Sequence, residues 1–159
     1  MGRILKRLTA VRWGDLSHAN GSAGDIPALL SRVAWGDEPN ARAALDELSD
    51  KICSLGFVVS EATPAVVPFL VELAGNPEVR CQVEVLELIA SIYETTQWEE
   101  AAAAAHPRYR SEFSEKVEWE ASAKAVVLAH RRAFEVLSLD SDRGIVDVAN
   151  RILSQLPMK

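Results

Sequence analysis

Pro39 and Pro77 stand 38 residues apart, and so do Arg42 and Arg80. Each Pro–Arg pair opens the same kind of segment. After Pro39, apolar residues fall at Ala41, Ala44, Leu45, Leu48, Ile52 and Leu55; after Pro77 they fall at Val79, Val83, Leu86, Ile89, Ala90 and Tyr93. Both sets keep the 3.6-residue period of a helix with one buried face. A shorter helical stretch precedes each. Residues 25–34 put Asp25 at an N-cap, Pro27 in the first turn, and Ile26, Leu29, Leu30 and Val33 on one side. Residues 63–75 put Thr63 at the cap and Pro64 at the first helical position, with Val67, Leu70, Val71 and Leu73 behind them. Gly56 and Gly75 read as helix stops. Self-similarity at about 40 residues, with one helical hairpin per period, predicts an α-solenoid, in which each hairpin buries its second face only by stacking on the next.

A third hairpin follows. A helix is predicted through residues 123–139, then an Asp140-Ser141-Asp142 turn, then a stripe of Ile145, Val148, Ala149, Ile152, Leu153 and Leu156. The helix after Pro77 also carries Val85, Leu88 and Ile92, so its apolar arc is wide enough for neighbours on two sides. Between the second and third hairpins lies an insertion, residues 96–122. It holds Gln97-Trp98-Glu99-Glu100, five alanines and then His106-Pro107. Alanine favours a helix and Pro107 ends it, so a short helix, a break and a second amphipathic helix from about Ser111 are predicted. No alternating run is long enough to predict a strand. At 159 residues the chain fits a single domain, 1–159. Its parts are a cap over 1–24, hairpins over 25–56, 62–95 and 123–157, and the insertion. Ile4, Leu5, Leu8 and Val11 make the cap helical, covering the open end of the stack, with Arg3, Lys6 and Arg7 on its outer face.

The run Asn76-Pro77-Glu78-Val79-Arg80, followed by Cys81, Val83, Leu86 and Ile89, resembles the turn and second helix of a HEAT repeat. Asp37-Glu38-Pro39-Asn40-Ala41-Arg42 is a looser copy, and Asp140-Ser141-Asp142-Arg143-Gly144-Ile145 looser still. The chain is also similar to small HEAT-like proteins of actinobacteria, through Trp13-Gly14-Asp15-Leu16 with His18, Ala28-Leu29-Leu30 and Pro68-Phe69-Leu70. The resemblance implies an all-α, right-handed α-α superhelix of the armadillo-like kind. It implies little chemistry, since such modules mostly bind other proteins along a ridge of helices.

Charge is unevenly spread. The formal net charge is −6, yet residues 1–12 carry four bases and no acid, and residues 13–105 carry fifteen acids against four bases. A block this acidic repels a phosphate backbone, which argues against nucleic acid as partner and for a basic protein. It also argues against a DNA glycosylase, the HEAT-like class that needs a basic concave face. No uninterrupted apolar run reaches the length of a membrane span, and the basic residues near the N-terminus interrupt any secretory signal. A cytoplasmic protein with no membrane partner is expected. Cys53 and Cys81 match neither a zinc nor a redox spacing and are expected as reduced, buried thiols.

His18, His106 and His130 form no metal-binding pattern, and neither a phosphate loop nor a nucleophile elbow is present. The sequence therefore predicts a non-enzymatic module with no catalytic residue, metal or cofactor. Its candidate partner-binding residues are acidic. Glu84, Glu87 and Glu94 share one side of the helix after Pro77, and the 38-residue offset maps Glu84 onto Asp46, with Asp50 one turn further on. Stacked second helices merge these into one ridge, bordered by Trp98, Trp119 or Trp35. Trp35, beside a turn, is expected in the core. Arg42 and Arg80 are expected to pair with carboxylates across the stack. An immunity or inhibitor protein, presenting carboxylates where a basic toxin binds phosphate, is one concrete form of this expectation. The alternatives are an enzyme or small-ligand binder with a concave pocket near Asp46, Glu84 and Trp98, and a domain that self-associates through its third hairpin.

Overall fold

The computed structural model describes residues 4–158, and nearly all of its regular structure is helical. The helices are α1 (Ile26–Trp35), α2 (Glu38–Ile52), α3 (Thr63–Ala74), α4 (Gln82–Tyr93), α5 (Gln97–Ala104), α6 (Ser114–Ala129), α7 (Arg131–Leu137) and α8 (Arg143–Gln155). The class is all-α. The helices pack as pairs, α1 on α2, α3 on α4 and α7 on α8. Helix α4 also lies against α6 and α8, and α3 against α6. Buried apolar side chains from Leu5 to Leu156 form one contiguous core.

The wide apolar arc of α4 has the consequence its sequence demands. Val85, Leu86, Leu88, Ile89, Ala90 and Ile92 are all buried, against neighbours on three helices. Fully burying each larger aliphatic side chain is worth about 1.5–3 kcal/mol, so α4 anchors the core together with α3, which buries Val66, Val67, Phe69, Leu70, Val71 and Leu73. Helix α8 approaches it closely at Gly144, where a Cβ would stand 3.1 Å from Cγ2 of Val83. The glycine that loosens the match to a HEAT turn thus permits helix contact. Asp142 caps α8, its carboxylate accepting from the amides of Gly144 and Ile145.

Several elements depart from the sequence expectation. Helix α2 stops at Ile52 rather than at Gly56, and the chain enters a short antiparallel hairpin. Strands β1 (Ser17–His18) and β2 (Gly21–Ser22) form one such ribbon, and β3 (Cys53–Ser54) and β4 (Val58–Val59) the other. Leu55 (φ 58°) and Gly56 (φ 85°) turn the second, which is the backbone sign a type I′ turn requires. Leu55, counted above on the α2 stripe, is 79% exposed there. The hydroxyl of Thr63 helps end α2. Thr63 is the first residue of α3, not its cap, and its Oγ1 donates to the Ile52 carbonyl at 2.5 Å while accepting from Ser60 N–H. Asp25 occupies the N-cap position of α1, but its side chain makes no cap bond and serves His18 and Lys51 instead.

The N-terminal cap is not an α-helix but short 3-10 stretches, Lys6–Ala10, Trp13–Asp15 and Ala23–Asp25, with the β1–β2 ribbon between the last two; Leu5 is buried and its amide donates to Glu72 on α3. Arg3 of the expected cap lies outside the described residues. Within 96–122 the short helix, the break and the second helix are all present. Helix α6 begins at Ser114 and packs on α3 and α4, burying Ala123 and Val127. The single helix expected over 123–139 divides at His130, whose Nδ1 lies 2.8 Å from the Val126 carbonyl. No proline or glycine marks that division. No described helix is long and apolar enough to cross a membrane.

Candidate functional site

Helices α2 and α4 run along the two walls of a small groove of about 180 Å³. Asp46 and Ser49 come from α2, and Glu84, Glu87 and Ser91 from α4. Leu45, Leu88, Cys53 and Gly56 complete the lining. The spacing explains the convergence: Asp46, Ser49 and Cys53 recur every three or four residues, as do Glu84, Glu87 and Ser91, so each set holds one line along its helix. Three of the six expected binding residues, Asp46, Glu84 and Glu87, therefore share a groove. Asp50 is exposed on α2 but is not among the lining residues.

The carboxylates are not equivalent. Glu84 is bridged by Arg42 of α2, whose Nη1 lies 2.7 Å from Oε2, and Arg42 also reaches Glu38 one turn back. Arg42 thus pairs with a carboxylate of another helix, whereas Arg80 makes no ion pair among the described residues. Glu94 is held by α8, with Arg151 Nε donating to Oε2 at 3.0 Å and Gln155 donating to the same oxygen. The Arg151 hydrogen bond is the main reason its carboxyl titrates below the usual range. Glu94 thus ties α4 to α8 and is committed to the fold. Asp46, Asp50 and Glu87 are exposed and enter no ion pair among the described residues.

Trp98 is elsewhere. Its Nε1–H donates to the Val59 carbonyl at 2.9 Å, and its ring meets Trp119 edge-on, with centroids 6.5 Å apart at 87°. Both rings line a different cavity, with Ser17, His18 and Glu61. The expected border of tryptophans along the acidic ridge is therefore absent, because the β3–β4 hairpin carries Val59 to Trp98 and holds the indole there. Trp35 is 44% exposed, over a depression formed with Pro77 and Arg80, and is not a core residue.

One buried carboxylate went unnoticed in the sequence. Glu120, on α6, is 3% exposed, and its two oxygens accept the amides of Trp98 and Glu99 at 2.8 and 3.0 Å. These are unpaired first-turn donors of α5, so a distant side chain caps that helix. Nothing in the local sequence signals a partner about twenty residues away.

His18 is buried with both nitrogens engaged. Nδ1 accepts from Asn20 N–H at 2.9 Å, which leaves Nε2 as the protonated nitrogen donating to Asp25, also at 2.9 Å. With neither nitrogen free, the ring serves to hold the β1–β2 turn on α1. No group of three or more His, Cys, Asp or Glu side chains is placed to hold a metal ion among the described residues.

Cys53 and Cys81 are both buried and unpaired as thiols. Burial pushes each up to about 11, since the thiolate loses its hydration. A shift from an ordinary 9 leaves about a hundredfold less thiolate at pH 8. We expect iodoacetamide at pH 8 to alkylate the folded protein at least a hundredfold more slowly than the urea-unfolded chain, read as mass increments over time. Comparable rates in the two states would show that the core opens at these positions. Comparison of the chain with protein-family models, with curated proteins and with solved structures gave no match in any of the three.

Proposed function

We propose that the protein is a non-enzymatic binding module that holds a basic protein against the α2–α4 face. The observation that carries this reading is the juxtaposition of Asp46, Glu84 and Glu87 across one groove, with Arg42 the cation that reaches it. The remaining charge is directed outward, where a partner's lysines and arginines can meet it and speed encounter. Three packed helical pairs and the HEAT-like turn at Asn76–Arg80 support a short right-handed solenoid as the scaffold, and we place the protein in the cytoplasm. An immunity or inhibitor role is the concrete form: carboxylates on two helices occupy the places where phosphates would bind and block the basic surface of a toxin.

The competing reading, an enzyme with a pocket near Asp46, Glu84 and Trp98, has lost one of its three residues to another cavity. The test uses immobilised protein and a lysate of the source cells at low and high salt. A basic protein retained in about 50 mM salt and released by about 500 mM fits an electrostatic interface, because screening shortens the reach of exposed charges to a few ångströms. Retention unaffected by salt contradicts it.

A further inference from the structure

The β3–β4 hairpin also borders the second cavity, of about 250 Å³, between itself, the β1 turn and the two tryptophans. Its walls are Trp98, Trp119, Val58 and Val59, with Glu61 and serine hydroxyls among them. We propose that this cavity binds an organic cation on a short apolar stem, an alkylguanidinium or alkylammonium group.

Four features converge on that ligand. The two half-buried indoles meet edge to face and both line the cavity, which supplies aromatic surface for a cation. Their positions are set before anything binds: Trp98 is fixed through Nε1–H to Val59 and through its amide to Glu120, and little ordering remains to oppose binding. The Trp98 ring already attracts a cation, because Nζ of Lys116, a residue outside the lining, lies 4.6 Å from its centroid.

Glu61 supplies the charge. Its Oε1 accepts from Ser17 N–H at 2.9 Å and from Ser17 Oγ at 3.2 Å, which pins the carboxylate, while Oε2 receives no hydrogen bond among the described residues. No lysine or arginine lines the cavity to compete for it. An anion is repelled by Glu61, and a neutral apolar ligand gains nothing from its charge. A guanidinium or ammonium head satisfies Oε2 while its stem lies on the valines and indoles. The volume admits a side-chain-sized ligand and excludes a nucleotide. This inference stands apart from the acidic groove and survives if that surface binds nothing.

The test is a titration of the 15N-labelled protein with n-butylguanidinium, following the indole Nε1–H signals. The chain has four tryptophans, and those of Trp98 and Trp119 are expected to shift saturably with a Kd of a few millimolar or tighter, about the limit for so small a ligand, while Trp13 and Trp35 stay still. Glu61→Gln retains the oxygen that Ser17 bonds but removes the charge, and is expected to weaken binding at least tenfold. The neutral isostere n-butylurea is expected to bind at least tenfold more weakly to the wild type. Trp119→Leu, a second variant, is expected to weaken the guanidinium about fivefold or more through loss of the ring face. A parallel titration with a blocked Gly-Arg-Gly peptide separates the sources: saturation by the peptide assigns the site to a partner's side chain, and its exclusion assigns it to a free small cation. No saturable shift with either cation up to about 50 mM, or equal binding of n-butylurea, overturns the proposal.

Discussion

Phe134→Ala is expected to remove about 4 kcal/mol of stability, the range for a large aromatic ring deleted from a closed core. Phe134 is fully buried and is the largest such side chain in the protein. It sits on α7, only seven residues long and without a side-chain cap at His130. A helix so short has almost no stability of its own and persists because Phe134, with Leu137, fastens it to the core. For a chain of this size each kcal/mol moves the melting temperature by about 2–4 °C, so a fall of roughly 8–16 °C is expected. Leu139→Ala, five residues on and 86% exposed, is the control and is expected within about 0.5 kcal/mol of wild type. A loss under about 1 kcal/mol for Phe134→Ala would mean that α7 and α8 do not close over the core as described.

Glu120→Ala is expected to cost about 3 kcal/mol in urea unfolding, although it removes no apolar contact of consequence. It leaves the amides of Trp98 and Glu99 without acceptors at the start of α5, and each orphaned buried donor costs about 1–3 kcal/mol. It also removes a negative charge from the positive end of the helix dipole. Glu120→Gln retains one acceptor oxygen and loses the other, so roughly half the effect is expected. Fluorescence distinguishes this account from general loosening. Freed from its cap, α5 releases Trp98, and the emission should shift to the red at urea concentrations below the main transition. A single transition at the wild-type midpoint would contradict the capping role.

The elements legible in the sequence are those whose signals are local. The stripes at Ala41–Ile52 and Val83–Ile92, and Pro27, Pro39 and Pro64 near helix starts, give α1 to α4, except that α4 begins at Gln82 and leaves Val79 of the expected stripe in the turn before it. Hidden features depend on contacts between distant residues. Leu55 continues the α2 stripe at the right spacing, but Thr63 takes the Ile52 carbonyl from eleven residues away and the helix ends early. The small signal available there was Gly56 followed by Phe57-Val58-Val59, aromatic and β-branched residues after a turn glycine. Trp98 is expected beside the acidic ridge because aromatics commonly border charge at recognition surfaces, yet its indole N–H is claimed by Val59. The ridge itself was half visible. Helical spacing aligned Glu84, Glu87 and Glu94, whereas the pairing of Glu94 with Arg151 needed the position of α8.

That division among the carboxylates gives the most direct test of the proposed interface. Asp46, Asp50 and Glu87 are exposed and outside any ion pair among the described residues, so changing all three to lysine removes no member of the Arg42–Glu84 or Arg151–Glu94 bridges. Glu112, two residues before α6, and Glu115 and Glu118 in its first turns are exposed and provide a variant of identical net charge. The measurement is the affinity of each variant for the basic protein retained by the wild type, at one salt concentration. The account predicts a loss of at least a hundredfold for Asp46→Lys/Asp50→Lys/Glu87→Lys, about 2.7 kcal/mol, and less than about fivefold for Glu112→Lys/Glu115→Lys/Glu118→Lys. Equal losses in the two variants would reduce the interaction to net charge, and no loss in the first would contradict the α2–α4 face as the binding surface.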